Sequence, residues 1–252
     1  MPSVSSPLAD WPAPFRVLNA CGPSRFLLTC EHASNHMPAE YAGLGVSEED
    51  RCRHIAWDIG AAALTERLSA LLDAPAILSG YSRLLIDLNR PPGVPSSIPQ
   101  RSEATDIPGN ADVSSTERQR RVERMFTPYH TALSALIDDR QKAGGARFII
   151  AVHSFTPVFH GVARPWHVGV LFGRDRLLAE HLAAAYAAEE GIVAGTNVPY
   201  VIDRESDYTI PVHGEDRDIP ALLLEIRQDL LGDDDSIEAW AVRTARALDC
   251  LR

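Results

Sequence analysis

Phe26-Leu27-Leu28-Thr29-Cys30-Glu31-His32 is an apolar run short enough for one buried strand, and it ends in an acid and a histidine. Two more runs have the same form, Phe148-Ile149-Ile150-Ala151-Val152-His153 and Ala221-Leu222-Leu223-Leu224-Glu225. Near-continuous apolar strands are those buried on both faces of a mainly parallel sheet. Ligands of open α/β sheets gather beyond the carboxyl ends of such strands, so polar residues at several strand ends point to one shared site.

Outward from these strands, helical patterns fill the gaps. From Ile55, the residues Ile59, Ala62, Ala63, Leu68, Leu71 and Leu72 recur at helical spacing, which sets Asp58 near the first turns of a helix introduced by Ser47. Ser114-Ser115-Thr116-Glu117 opens a helix to about Lys142, with a bend expected at Pro128 and a stop at Gly144-Gly145. Further helices are expected over 175–190 and 233–251, the last capped by Ser236 or an aspartate. Short strands are expected at 76–78, 84–88 and 167–172. The first 24 residues, rich in Pro and Ser, read as an extended arm. Residues 91–113 hold five prolines and form a long loop expected to border the pocket, and 203–219 form a second polar loop. Strand and helix alternate throughout, which implies one three-layer α/β/α domain over residues 1–252 with a mainly parallel, mixed central sheet.

With 252 residues, 45% of them hydrophobic, the chain is long enough for a substantial enzyme core. A formal net charge of −10 argues against nucleic acid and anionic membrane as partners, because both require a positive field. Cys21, Cys30, Cys52 and Cys250 show no C-x-x-C spacing. The start lacks the basic and apolar regions of an export signal, and no apolar stretch reaches membrane-spanning length, so a cytoplasmic protein is expected. Oligomeric state is not readable.

The candidate chemistry is that of a divalent metal. Catalytic zinc takes three protein ligands from His, Asp and Glu and keeps one position open for water. His32, Asp58 and His153 can supply them. Glu225 ends a strand that reads as buried, where a carboxylate needs a partner. Either it pairs with Arg227, two residues on and on the same face, or it serves as general base for water; its strand-end position favours the base. Arg83, Asn89, Arg90 and Arg227 stand beside strand ends, and a guanidinium grips a carboxylate through two parallel bonds, so a small carboxylate-bearing substrate is expected. His213 is a candidate for orienting substrate. Cys30 reads as packing, Ser154 lacks the turn that projects a nucleophile, and His36, His160 and His167 are spare ligand candidates.

These segments resemble the N-formylglutamate amidohydrolases. The resemblance rests on Glu31-His32-Ala33-Ser34-Asn35, Asp58-Ile59-Gly60-Ala61, Ser82-Arg83-Leu84-Leu85-Ile86-Asp87-Leu88-Asn89-Arg90-Pro91, Val152-His153-Ser154 and Ile219 to Arg227, the arginine-rich segment being the most specific. It implies a phosphorylase/hydrolase-like fold similar to zinc carboxypeptidases, and hydrolysis of N-formyl-L-glutamate to formate and glutamate. It is similar, more distantly, to zinc N-acetylmuramoyl-L-alanine amidases, whose order of residues implies one Zn²⁺ on His32, Asp58 and His153 with Glu225 catalytic, Asp58 standing where those amidases have glutamate. Typical members of the amidohydrolase family carry Pro and Asp where this chain has Glu31 and Val152. A zinc amidase or carboxypeptidase acting on a peptide or cell-wall amide is the first alternative. A metal-free protein that binds an acidic metabolite is the second.

Overall fold

A computed structural model describes residues 11–251. Its strands in chain order are β1 (Phe15–Leu18), β2 (Phe26–Cys30), β3 (Ala76–Ser79), β4 (Arg101–Ser102), β5 (Thr105–Asp106), β6 (Phe148–Phe155), β7 (Val158–Phe159), β8 (Val162–Ala163), β9 (Val168–Leu171), β10 (Ala194–Thr196) and β11 (Ala221–Arg227). The helices are α1 (Glu48–Arg51), α2 (Ala61–Leu72), α3 (Ser115–Arg121), α4 (Thr127–Lys142), α5 (Arg176–Ala187) and α6 (Asp234–Leu248). Seven strands form one sheet in the order β1-β3-β2-β6-β11-β9-β10. The central β3, β2, β6 and β11 run parallel, β1 pairs antiparallel with β3, and β9 pairs antiparallel with β11. This is the expected mixed α/β sandwich.

Each central strand divides its side chains between two cores. Leu28, Ile150, Val152, Leu222 and Leu224 pack with Leu64 and Leu68 of α2, Leu182 and Tyr186 of α5, and Trp240 and Leu248 of α6. Leu27, Ile149, Ala151, Ala221 and Leu223 pack on the other face with Tyr129, Leu133 and Ile137 of α4. Side chains alternate across a strand, so His153 and Glu225 share the α4 face with Ala151 and Leu223, and the parallel register sets the two side by side.

Five local features depart from the sequence expectations. Leu84–Leu88 is not a strand but a buried turn. Ser82 donates from Oγ to the Ala56 carbonyl at 2.8 Å and accepts from the Leu84 amide at 3.2 Å, while Asp87 accepts from the Asn89 amide at 2.9 Å. Such short-range side-chain bonds to backbone compete with a strand ladder. The arm before residue 24 contains β1 among its described residues, 11–24; its first ten lie outside them. β10 is an additional edge strand. The helix expected to carry Asp58 is two pieces, α1 capped by Ser47 and α2, and it is interrupted where Gly60 takes a φ of +81°, leaving Asp58 on the turn before α2. The bend expected at Pro128 is a single wide π turn at Val122–Phe126, just ahead of that proline.

Candidate active site

A cleft of about 490 Å³ opens at the carboxyl ends of the parallel strands. His32, Asp58, His153 and Glu225 line it, together with Arg83, Asp87, Asn89, Arg90, Tyr200 and Asp207. The proline-rich loop borders it as expected, through Ser96, Pro99, Arg101, Ser102 and Glu103.

Three chain segments bring the imidazoles to one acid. β2 ends just before His32, β6 carries His153, and the Asp58 amide donates to the His32 carbonyl at 2.9 Å, which ties the turn before α2 to the end of β2. The two rings meet edge to face, 4.8 Å between centroids. Nδ1 of His32 lies 3.2 Å and Nδ1 of His153 2.8 Å from the same oxygen, Oδ2 of Asp58. The other ring nitrogens are held from behind: Nε2 of His32 by Asp87 Oδ1 at 2.7 Å, and Nε2 of His153 by Glu31 Oε2 at 2.9 Å. All five side chains are buried.

This arrangement constrains the tautomers. A carboxylate accepts but cannot donate, so Asp87 and Glu31 require N–H at both Nε2 positions. Each neutral ring then turns a bare Nδ1 lone pair toward the Asp58 carboxylate, which is stable only with a proton or a cation between them. Potential ligand atoms of His32, Asp58 and His153 all lie within 4.8 Å of one another, so this buried group could bind a metal. Without a cation, protons fill the gap. Burial alone would lower the His153 pKa, but hydrogen bonds to Asp58 and Glu31 raise it well above the usual histidine range. Burial likewise opposes ionisation of the acids, and their partners overcome it. Hydrogen bonding and charge from His153, with a hydrogen bond from Thr209, hold the Glu31 carboxyl down at about 2, and Arg83 and His32 hold Asp87 well below the carboxylate range.

Glu225 differs from these acids. Its Oε2 is buried and has no hydrogen-bond partner. Burial, with Asp58 adding to it against the opposing pull of His153, raises its carboxyl to about 7. A carboxylate at that pKa can accept a proton and return it near neutral pH.

Of the residues expected to hold substrate, Arg83, Asn89 and Arg90 line the cleft. Arg83 grips Asp87 through Nε at 2.9 Å and Nη2 at 2.6 Å, and Arg90 reaches Asp207 at 2.5 Å. Asn89 accepts the Thr209 amide at 2.9 Å, tying the two loops together. Arg227 and His213 stand elsewhere. Arg227 is fastened to Asp229 at 2.8 Å and is not among the cleft residues, so it neither faces substrate nor pairs with Glu225. His213, on the second polar loop and expected to orient substrate, is buried on a π turn outside the cleft and stacks on His130, to which it bonds at 2.9 Å. The spare histidines do not join the group: His167 accepts the Val193 amide and His160 sits at the exposed β7–β8 turn. Burial pushes the Cys30 thiol up, away from reactivity, and Ser154 donates to the Ile59 carbonyl at 2.7 Å.

Glu31 and Asp87 escaped the reading of the sequence as site residues although both lie in the quoted segments. The rule applied to Glu225, that a strand-end acid in apolar surroundings needs a partner, applies equally to Glu31 and would have found it. Asp87 carried no such signal, because its segment read as a strand.

The molecule is an α/β sandwich with a buried imidazole–carboxylate group at its strand ends, and the comparisons supply its class, an amidohydrolase. Residues 24–231 match the family model described as N-formylglutamate amidohydrolase, and the chain belongs to that amidohydrolase family. Among solved structures, the gene product Atu2144 from Agrobacterium tumefaciens is 35% identical with a TM-score of 0.90, the match covering 95% of this chain and 96% of that one. N-formylglutamate amidohydrolase from Ralstonia eutropha JMP134 is similar in fold, with a TM-score of 0.63 at 17% identity over 94% of this chain and 96% of that one. Comparison with curated proteins gave no match. Among the described residues, no helix is long and apolar enough to cross a membrane.

Proposed function

We propose that this chain is a zinc-dependent hydrolase that cleaves the amide bond of an N-acyl amino acid, with N-formyl-L-glutamate as the first substrate to test. One observation carries the reading: two imidazoles, each held by a carboxylate at Nε2, turn Nδ1 toward a single oxygen of Asp58, beside the unpartnered carboxyl of Glu225. His32, Asp58 and His153 would hold the ion. When bound, Zn²⁺ supplies carbonyl polarisation and acidification of water.

The protein's own residues do the rest. Glu225 takes a proton from the attacking water at its free carboxylate oxygen and delivers it to the leaving nitrogen. Burial keeps this carboxyl near the middle of its titration at neutral pH, so both transfers are within its reach. Asp87 and Glu31 fix which nitrogen of each ring faces the site. Arg83 and Arg90 line the cleft as ion pairs with Asp87 and Asp207, and their guanidinium groups would be the cations offered there to a substrate carboxylate.

Glu225→Gln tests the assignment. The amide keeps shape and hydrogen-bonding capacity but cannot accept a proton. Zinc binding, measured by metal analysis, should be retained while kcat for formate release falls by about 10²–10⁴. A variant with full turnover removes Glu225 from the base role. A wild-type protein that takes up no zinc from added metal defeats the metal-dependent reading.

A further inference from the structure

The cleft is lined by two chemically different sets of residues. Arg83, Asn89 and Arg90 belong to the segment after β3, the strand next to the β1 edge of the sheet. An apolar set comes from β6 onward to the opposite, β10 edge: Phe155 ends β6, Phe159 ends β7, Leu171 ends β9, and Tyr200, Val201 and Ile202 follow β10. Glu225, on β11, lies between β3 and β10 in the sheet order.

Local structure sets this apolar wall beside Glu225 and holds it there. In the antiparallel pairing of β11 with β9, Glu225 is partnered by Gly169. A Cβ at Gly169 would lie 1.7 Å from the Val198 carbonyl oxygen, so only glycine lets the segment after β10 lie directly on β9 at that point, two residues before Tyr200. Two of the rings are then fixed by Arg164, a buried residue that is not among those lining the cleft. Its guanidinium carbon stands 4.5 Å from the Phe159 ring centre and 4.8 Å from that of Tyr200, and Nη1 donates to the Tyr200 hydroxyl at 3.0 Å. The wall also runs out to the surface: Tyr200 is 40% and Val201 65% exposed, and Val158 and Val162 of the β7–β8 hairpin are 49% and 67% exposed. Apolar side chains gathered in the open at the mouth of a cleft mark a surface that a ligand covers.

The occupant follows from the order of the groups along the cleft. The carboxylate half of an N-acyl amino acid is drawn to the cations after β3, and its acyl carbon has to reach Glu225, so the acyl substituent runs on toward β10. A formyl group ends at that carbon and covers none of the wall. The cleft, at about 490 Å³, falls in the range of about 300–1,000 Å³ that encloses far larger molecules. We propose that Phe159, Tyr200 and Val201 form an apolar acyl subsite, which selects N-acyl amino acids with an extended hydrocarbon acyl chain over those with a short one. The proposal rests on the hydrolytic reading above for the position of the acyl carbon at Glu225. Selectivity comes from hydrocarbon removed from water against a wall whose rings are already in place, so it grows with each methylene that the wall covers.

The test uses the full zinc-loaded chain with N-acetyl-, N-butanoyl- and N-hexanoyl-L-glutamate, and N-formyl-L-glutamate as the reference for any turnover. Acetyl to hexanoyl compares carbonyls of like reactivity. In the wild-type protein kcat/KM should rise about two- to fourfold for each methylene covered, so that hexanoyl exceeds acetyl at least about tenfold. Val201→Asp, which places a charge at an exposed position, and Phe159→Ser should each cut that ratio at least about threefold. Leu177→Ser, exposed on α5 and outside the cleft, should leave the ratio unchanged. A series that is flat or falls from acetyl to hexanoyl, or cleavage of the N-formyl compound alone, overturns the proposal and leaves the hydrolytic reading standing. So does a rise that survives in both cleft variants, whereas its loss in one or both supports the subsite. Should the wild-type protein cleave none of the four compounds, the hydrolytic reading fails by itself, and calorimetric titration with the N-hexanoyl and N-acetyl compounds decides the subsite. Binding of the hexanoyl compound at least about tenfold tighter, with that preference lost in Val201→Asp, supports it. Equal binding, no binding, or a preference that Val201→Asp keeps overturns it.

Discussion

Glu31 and Asp87 set the chemistry of the site without themselves facing Asp58. Each accepts from the Nε2 of one imidazole, so each decides that the lone pair is at Nδ1. Glu31→Gln and Asp87→Asn should therefore weaken zinc binding about 10–100-fold, measured by competition with a chromophoric chelator. Unchanged affinity in both would show that the ring nitrogens need no such anchoring. At this scale, the gathering of His32, Asp58, His153 and Glu225 around one cleft was readable because a polar side chain interrupted or followed an apolar pattern. Arg227 and His213 misled for the same physical reason. Their partners, Asp229 and His130, are set by turns and helix packing that no periodicity records.

Elements place these residues by parity and by where helices are allowed to begin. β6 and β11 were legible as uniformly apolar runs, and the alternation of side chains along them puts His153 and Glu225 on one face. The start of α2 was not legible, because it depends on contact with a distant segment. Gly60 adopts a φ of +81°, and a Cβ added there would lie 2.4 Å from the Leu231 Cβ, so only glycine lets the turn bearing Asp58 pass so close to the segment before α6. Gly60→Ala should cost about 1–3 kcal/mol of stability and lower zinc affinity as Asp58 is displaced. Gly191→Ala makes the control, since Gly191 has a φ of +80° with nothing within 4 Å, and should cost only the backbone strain of about 1 kcal/mol. Urea melts of the two variants compare them; equal losses would show that the Leu231 contact is immaterial.

Across the whole molecule, the α4 face of the sheet buries a second histidine pair, and it couples stability to pH. Burial lowers the pKa of His130 to about 3 and of His213 to about 4, so both are neutral in the native protein while the unfolded chain protonates them near 6.5. Between pH 4 and 6.5 the unfolded state binds more protons, and stability must fall as pH falls, by at most about 1.4 kcal/mol per pH unit for each ring. Glu225, raised to about 7, runs the other way from pH 4.5 to 7, since there the native state binds the extra proton. The informative quantity is therefore the difference between wild type and His213→Asn. The variant should lose part of the acid-side slope in urea unfolding between pH 6.5 and 4.5; parallel curves would contradict the pair's role.

The architecture as a whole was legible from alternating apolar strands and amphipathic helices, whereas the edges β1 and β10 were not, because an edge strand needs only one neighbour and little apolar content. The claim on which the rest depends is that His32, Asp58 and His153 hold one cation together. X-ray diffraction from crystals grown with Zn²⁺, recorded on both sides of the zinc absorption edge, tests it most directly. The predicted result is a single anomalous peak about 2.0–2.2 Å from Nδ1 of both imidazoles and an oxygen of Asp58. A peak elsewhere, or none between those three side chains at saturating zinc, would contradict it.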